Sequence, residues 1–187
     1  MTEWDAQSAE WYAAKYGEYA TNRLAVDELD LAVDATVVDV GCGTGSALRH
    51  AAARVPAGSL IGIDPVPRMI EIARERSSDH PAAARIDYRV GSAEALPVKD
   101  GLAGLVLALD SIDHWQDVGR GLDEVRRILE PGGQFVVVKD AGVPGSAEAR
   151  KELASVLEGA GFVVVDQREV AAEDVSFTLW ICTEEER

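Results

Sequence analysis

The chain has 187 residues, 47% of them apolar, which suits one domain with a full hydrophobic core. Thirty-three acidic residues against 18 basic ones give a formal charge of −15, a surface that repels phosphate backbones and argues against nucleic acid as a partner. No run approaches the roughly 18 consecutive apolar residues of a membrane span, and Met1-Thr2-Glu3-Trp4-Asp5 has no basic stretch leading into an apolar one, so no membrane span and cytoplasmic residence are expected.

The first segment, Trp4–Leu31, reads as helical and carries Trp4, Trp11, Tyr12, Tyr16 and Tyr19, a density of rings that suits a cap over something flat or apolar. From Thr36 onward, apolar β-branched runs alternate with amphipathic segments. Strands are predicted at Thr36–Val40, Ser59–Ile63, Arg85–Val90, Leu102–Leu109, Gln134–Lys139, Phe162–Val170 and Val175–Cys182. Most of the first five are almost continuously apolar, as strands covered on both faces are. Helices are predicted near Gly45–Arg54, Pro67–Ser77, Asp117–Leu129 and Ala147–Gly159; Met69, Ile70 and Ala73 form an apolar stripe in the second, and Leu122, Val125, Ile128 and Leu129 in the third. Arg68, Arg74 and Arg76, interleaved with Glu71 and Glu75, read as a solvated helix face. This alternation predicts a mostly parallel, doubly wound α/β sheet with helices on both faces and ligands at the carboxyl ends of its strands. The last two strands are joined only by Ala171–Asp174, so they form a hairpin and one late strand runs antiparallel. The segment Asp140–Ala147 is too short to carry an inserted substrate domain. Cys42 and Cys182 stand far apart without a Cys/His cluster, which predicts two reduced thiols and neither a disulfide nor a zinc site.

The stretch most specific for chemistry is Val37-Val38-Asp39-Val40-Gly41-Cys42-Gly43-Thr44-Gly45-Ser46. A buried strand ends at Val40 and a helix starts near Gly45, so the free N–H groups of the helix start face an anionic ligand group. Glycines at 41, 43 and 45 let the backbone turn tightly against that ligand. Ser46 breaks the dinucleotide pattern G-x-G-x-x-G, which argues against a nicotinamide dehydrogenase, and no Gly-Lys-Ser/Thr of a phosphate loop follows. Asp39, two residues before the first glycine, suits the ammonium of an amino acid better than a pyrophosphate. Asp64, ending the second strand, is placed to accept hydrogen bonds from a ribose diol.

On these residues the chain resembles the class I S-adenosylmethionine-dependent methyltransferases, and within them the small-molecule branch that includes ubiquinone and menaquinone biosynthesis enzymes. The likeness extends through Ile61–Asp64 with Pro65 and Met69, Gly91-Ser92-Ala93-Glu94-Ala95-Leu96-Pro97, Leu105–Trp115, Leu129-Glu130-Pro131-Gly132-Gly133 and the terminal hairpin. It implies a single domain over 1–187, with a helical cap at 1–32 and a seven-stranded Rossmann-like core at 36–182. It further implies that S-adenosylmethionine is the cofactor. Gly41, Cys42, Gly43 and Gly45 would line its methionine end, with Asp39 near the ammonium and Asp64 on the ribose. Pro65 and Met69 would pack on the adenine, Ser92 and the Ala93 amide would meet the ring edge, and Ala108 would lie under the sulfonium end. Two positions depart from the family pattern: Ser92 stands where Asp is usual, and Ala103-Gly104 opens the fourth strand where an Asp after an aromatic residue is usual.

A sulfonium methyl is already activated, so positioning of an acceptor in line with the S–CH3 bond can supply about 7–11 kcal/mol, and a base is needed only where the acceptor must lose a proton. Candidates for that base are Asp110, Asp113 and His114, with Lys139 and Asp140 nearby. Tyr12 and Tyr16 reach from the cap toward the methionine carboxylate or the acceptor. No metal is expected, since Lys139 precedes Asp140 and no third oxygen ligand is evident. The expected partner is a small, partly apolar methyl acceptor, aromatic or quinone-like. A non-catalytic S-adenosylmethionine or S-adenosylhomocysteine binder and a protein or RNA methyltransferase are the alternative readings.

Overall fold

The computed structural model describes residues 5–140, 147–172 and 174–185. In chain order the elements are α1 (Ala6–Tyr16), α2 (Ala20–Asp27), β1 (Thr36–Val40), α3 (Ser46–Arg54), β2 (Ser59–Asp64), α4 (Pro67–Ser77), β3 (Ile86–Val90), β4 (Ala103–Leu109), α5 (Val118–Ile128), β5 (Leu129–Asp140), α6 (Ala147–Gly159), β6 (Phe162–Ala172) and β7 (Val175–Glu184). The seven strands form one sheet in the order β3-β2-β1-β4-β5-β7-β6. Strands β1 to β5 pair in parallel, and β7 runs antiparallel to both β5 and β6. The hairpin and the single reversed strand are therefore as expected. Chain direction across the sheet reverses between β1 and β4, which opens a crevice at their carboxyl ends.

The apolar runs of β1, β4 and β5 are explained by burial on two faces. Val37, Leu105, Leu107, Val136 and Val138 pack toward α2, α3 and α4 around Val26, Leu48 and Ile70. Their alternates Val38, Val106, Phe135 and Val137 pack toward α5 and α6 around Leu122, Val125, Ile128 and Leu157. Arginines tie helix ends into this frame. Arg54 donates to the carbonyls of Val26 (2.6 Å) and Leu29 (2.8 Å), and Arg85 to those of Ala52 (2.9 Å), Val55 (2.7 Å) and Gly58 (2.9 Å). These carbonyls lie at or just beyond the ends of α2 and α3, and the arginines give each a charge-assisted bond.

Most boundaries shift by a residue or two from the sequence reading, and two differ by more. The amino-terminal helix breaks into α1 and α2 at Gly17, where a Cβ would strike the Ala13 carbonyl, Arg76 and Thr44, so the chain comes too close to the core to continue with a larger residue. Of the expected aromatic set, Trp4 lies outside the described residues, as does the 141–146 link. The second difference is that β5 begins at Leu129, inside the expected turn. Leu129 pairs with Ala103 and Gln134 with Leu105, so Glu130–Gly133 bulges out between two ladder positions, with Gly132 at φ +81°.

Trp180 on the reversed strand is 1% exposed and is the bulkiest side chain in the core. Trp180→Ala is expected to cost about 3–5 kcal/mol of stability, read from the urea midpoint; an unshifted midpoint would show that β7 is not part of the cooperative core.

Candidate functional site

The glycine-rich turn is built by the two strands it joins. Gly41, Gly43 and Gly45 have φ of +81°, +51° and +76°. The Gly41 and Cys42 amides both donate to the Ile63 carbonyl at 2.8 and 3.0 Å, which pins the turn to the tip of β2. A Cβ on Gly45 would run into the Tyr88 ring, and one on Gly41 into Ser111, whose hydroxyl donates to the Val40 carbonyl at 2.6 Å. Gly43 is the contrast: a Cβ there would meet nothing within 4 Å, so that face of the turn opens on free space.

Asp64 lies directly beside it. One carboxylate oxygen accepts the Gly43 amide at 3.1 Å and the other the Val66 amide at 2.9 Å. Two backbone donors from different segments thus orient a side chain that is only 7% exposed, and a carboxylate has further lone pairs to offer a ligand. Burial raises its pKa, against the lowering effect of the two amides. Asp39 sits beneath the turn, 2% exposed, with one oxygen lacking a hydrogen-bond partner among the described residues. Burial, and after it the Asp64 charge, pushes its carboxyl up to about 7.

At the tips of β4 and β5, Asp110 adopts a left-handed backbone, φ +51°, which aspartate tolerates better than most residues. Its carboxylate accepts the Asp140 amide at 2.6 Å. Burial, with the charges of Asp140 and Asp113 adding to it, raises the Asp110 carboxyl to about 6 despite that bond. A one-turn 3-10 helix, Ile112–His114, follows. Asp113 points outward and is paired with Lys139 at 2.8 Å.

The cap closes over this row. Tyr12 stacks against Tyr16 at 5.4 Å, and Tyr16 against Trp11 and Tyr19. Glu18 bridges Arg49 (2.6 Å) and Arg76 (2.9 Å), Arg76 also donates to the Ala13 carbonyl, Arg68 pairs with Glu10, and the Thr44 hydroxyl donates to the Gly17 carbonyl. The Arg68–Arg76 stripe is therefore not simply a solvated face. Two of its arginines hold the cap, and the third, Arg74, donates to the Tyr88 carbonyl at 2.5 Å.

These elements enclose a cleft that is open to solvent at its mouth. Of the residues singled out from sequence, Tyr12, Gly41, Gly43, Asp64, Pro65, Met69, Ser92, Ala93, Asp110 and His114 line it. Asp39, Cys42, Gly45, Tyr16, Ala108 and Asp113 do not. Ala108 is fully buried on the α5 side of the sheet, and the next residue, Leu109, lines the cleft instead. Cys42 turns its thiol inward toward Gly62, where burial raises its pKa strongly. Sequence reasoning missed Leu109, Ser111, Trp115 and Glu94. Glu94 accepts the Gln116 and Asp117 amides at 2.6 and 3.0 Å and so moors the 92–95 loop to the start of α5. Glu94 stands in the Gly91–Pro97 stretch singled out from sequence, but nothing in it marked the bond to amides 22 and 23 residues away.

Because folded Asp39 titrates near 7 and an unfolded aspartate near 3.9, the folded chain binds the extra proton between those values. The unfolding free energy contributed by this group therefore falls as pH rises from about 4 to about 7, and the loss is complete above that window. Asp39→Asn is expected to flatten this slope and to exceed the parent chain in stability at pH 7.5 by roughly 1–4 kcal/mol. Urea denaturation at pH 5 and 7.5 measures it; parallel behaviour of the two proteins would contradict the assignment.

Residues 38–137 match the family described as methyltransferase domain, more than half of the chain. The ubiquinone/menaquinone biosynthesis C-methyltransferase UbiE of Geotalea uraniireducens is 35% identical over 118 residues, 63% of this chain and 50% of that protein. The ubiquinone biosynthesis O-methyltransferase of Azorhizobium caulinodans is 36% identical over 101 residues, 54% of this chain and 38% of that one. The chain thus spans about half, or less, of the length of these relatives. A SAM dependent methyltransferase from Aquifex aeolicus has the same fold, with a TM-score of 0.79 at 18% identity over 96% of this chain and 99% of that one. The family match, with a glycine turn and strand-tip acid set at the reversal point of this sheet, leads to one conclusion: the chain belongs to the class I S-adenosylmethionine-dependent methyltransferases.

Proposed function

We propose that the cleft binds S-adenosylmethionine along the β1–β2 side and transfers its methyl group to a small, partly apolar acceptor entering from the β4–β5 side. The observation that carries this reading is the pairing of Gly43 with Asp64. A backbone face with no Cβ to obstruct a ligand stands beside an oriented, nearly buried carboxylate. A ribose diol needs that acceptor, and an amino acid moiety needs a close approach to the turn. The walls fit the rest of the cofactor: Pro65 and Met69 offer an apolar slot and Ala93 a small residue beside it.

The cofactor supplies an electrophilic methyl on a positively charged sulfur. The chain supplies position and field. Asp64 holds the nucleoside end, and Asp39 and Asp64 together place negative charge below the turn, where a cationic ligand finds it. Tyr12 and the cap cover the cleft and exclude water, which strengthens every charge interaction inside. Asp110 and His114 stand on the acceptor side, within reach of a proton that the acceptor must shed. Asp113, occupied by Lys139, is less suited to that role. No inserted domain reaches the site among the described residues, and the formal charge of −15 disfavours RNA as acceptor. No described helix is long and apolar enough to cross a membrane.

Calorimetric titration with S-adenosylhomocysteine and with NAD tests the cofactor. Binding of the first and not the second is expected. Asp64→Ala is expected to weaken S-adenosylhomocysteine roughly 10- to 100-fold, the worth of one or two charge-assisted hydrogen bonds; an unchanged dissociation constant would remove Asp64 from the ribose. Labelled methyl is expected in the small-molecule fraction of an extract. Label confined to RNA or protein, or binding with no transfer to any fraction, would overturn the acceptor assignment.

A further inference from the structure

The methyl acceptor's chemistry follows from what the described walls of the cleft contain and omit. They carry three carboxylates, Asp64, Glu94 and Asp110, and no lysine or arginine. All three accept backbone amides: Asp64 those of Gly43 and Val66 on the nucleoside side, Glu94 those of Gln116 and Asp117 just ahead of α5, and Asp110 that of Asp140 alone. Asp110 differs in place. It stands at the β4 tip bonded to β5, two strands removed from Asp64 on β2, so it faces the part of the cleft that the glycine turn and Asp64 do not claim.

The charges around it do not cancel. Asp140, whose carboxylate accepts the Tyr19 hydroxyl, and Asp113 both add negative field at Asp110. Lys139 opposes them, but its ammonium is held by Asp113 at 2.8 Å. Beside Asp110 the walls include Ser111 and His114, and Tyr12, Leu109 and Trp115 add faces that suit an apolar body and the flank of a cation. An anionic acceptor would face the Asp110 charge with no lysine or arginine on the described walls to offset it, and a neutral hydroxyl would leave that charge uncompensated in a half-enclosed site.

We propose that the acceptor is a primary or secondary amine on a partly apolar body, bound as its ammonium by Asp110; this rests on the methyltransferase reading above. The amine gives one proton to the Asp110 carboxylate. Its freed lone pair forms the C–N bond as the donor's C–S bond breaks, sulfur keeping the bonding pair. The product leaves as a methylated ammonium, and the Asp110 proton passes to water.

The full chain saturated with S-adenosylhomocysteine is titrated calorimetrically with benzylamine, phenethylamine and tryptamine, with their hydroxyl counterparts benzyl alcohol, 2-phenylethanol and tryptophol, and with 3-phenylpropanoate. At least one amine is expected to bind tenfold or more tightly than its alcohol, with 3-phenylpropanoate weakest. Asp110→Asn, which suits the left-handed backbone and keeps an oxygen for the Asp140 amide, is expected to erase that preference while S-adenosylhomocysteine affinity stays within twofold. Label from S-adenosylmethionine is expected on nitrogen. Alcohols binding as well as amines, no amine binding at all, or an unaltered preference in Asp110→Asn would overturn the proposal alone. Failure to bind S-adenosylhomocysteine would instead bring down the underlying reading, and this proposal with it.

Discussion

The structure depends on the close approach of two strand tips. The Ile63 carbonyl takes two amides from the turn after β1, and the Asp64 carboxylate takes a third, so β1 and β2 end as one unit. That approach demands positive φ at three positions and leaves no room for side chains at two of them. The turn would otherwise close over itself; held this way, it presents bare backbone to the crevice between β1 and β4. The buried acids Asp39 and Asp64 stand at this turn, where they set the sign of the field.

Charge is sorted by location. Arginines on α3 and α4 face outward and hold the cap by Glu10, Glu18 and backbone carbonyls, whereas the cleft beneath is walled by carboxylates. The segregation lets the cap be fastened without placing a cation in the site. Surface pairs of this kind contribute little to stability individually. As a network with the Thr44–Gly17 hydrogen bond they join the cap directly to the glycine turn.

Elevated carboxyl pKa values at Asp39 and Asp110 have the same origin, burial without a cation in contact. Such groups destabilise the empty fold near neutral pH and are relieved by a positively charged ligand.

Much of this was legible in the chain alone because its causes are local. Two-sided burial writes β1, β4 and β5 as continuous apolar runs, a tight turn demands Gly41, Gly43 and Gly45, and an acid at a strand tip is visible as Asp64. What required the tertiary structure was direction. Whether Ala108 or Leu109 meets the cleft depends on the pleat of β4 between its neighbours. That Cys42 points into the core and Gly45 exists to clear Tyr88 depends on β3 lying two strands away. Arg76, read locally as solvated, proved to hold the link between α1 and α2 through Glu18, 58 residues distant. Spacing along a chain determines which residues can share an element, but which side of it faces a ligand is decided by contacts between segments far apart in sequence.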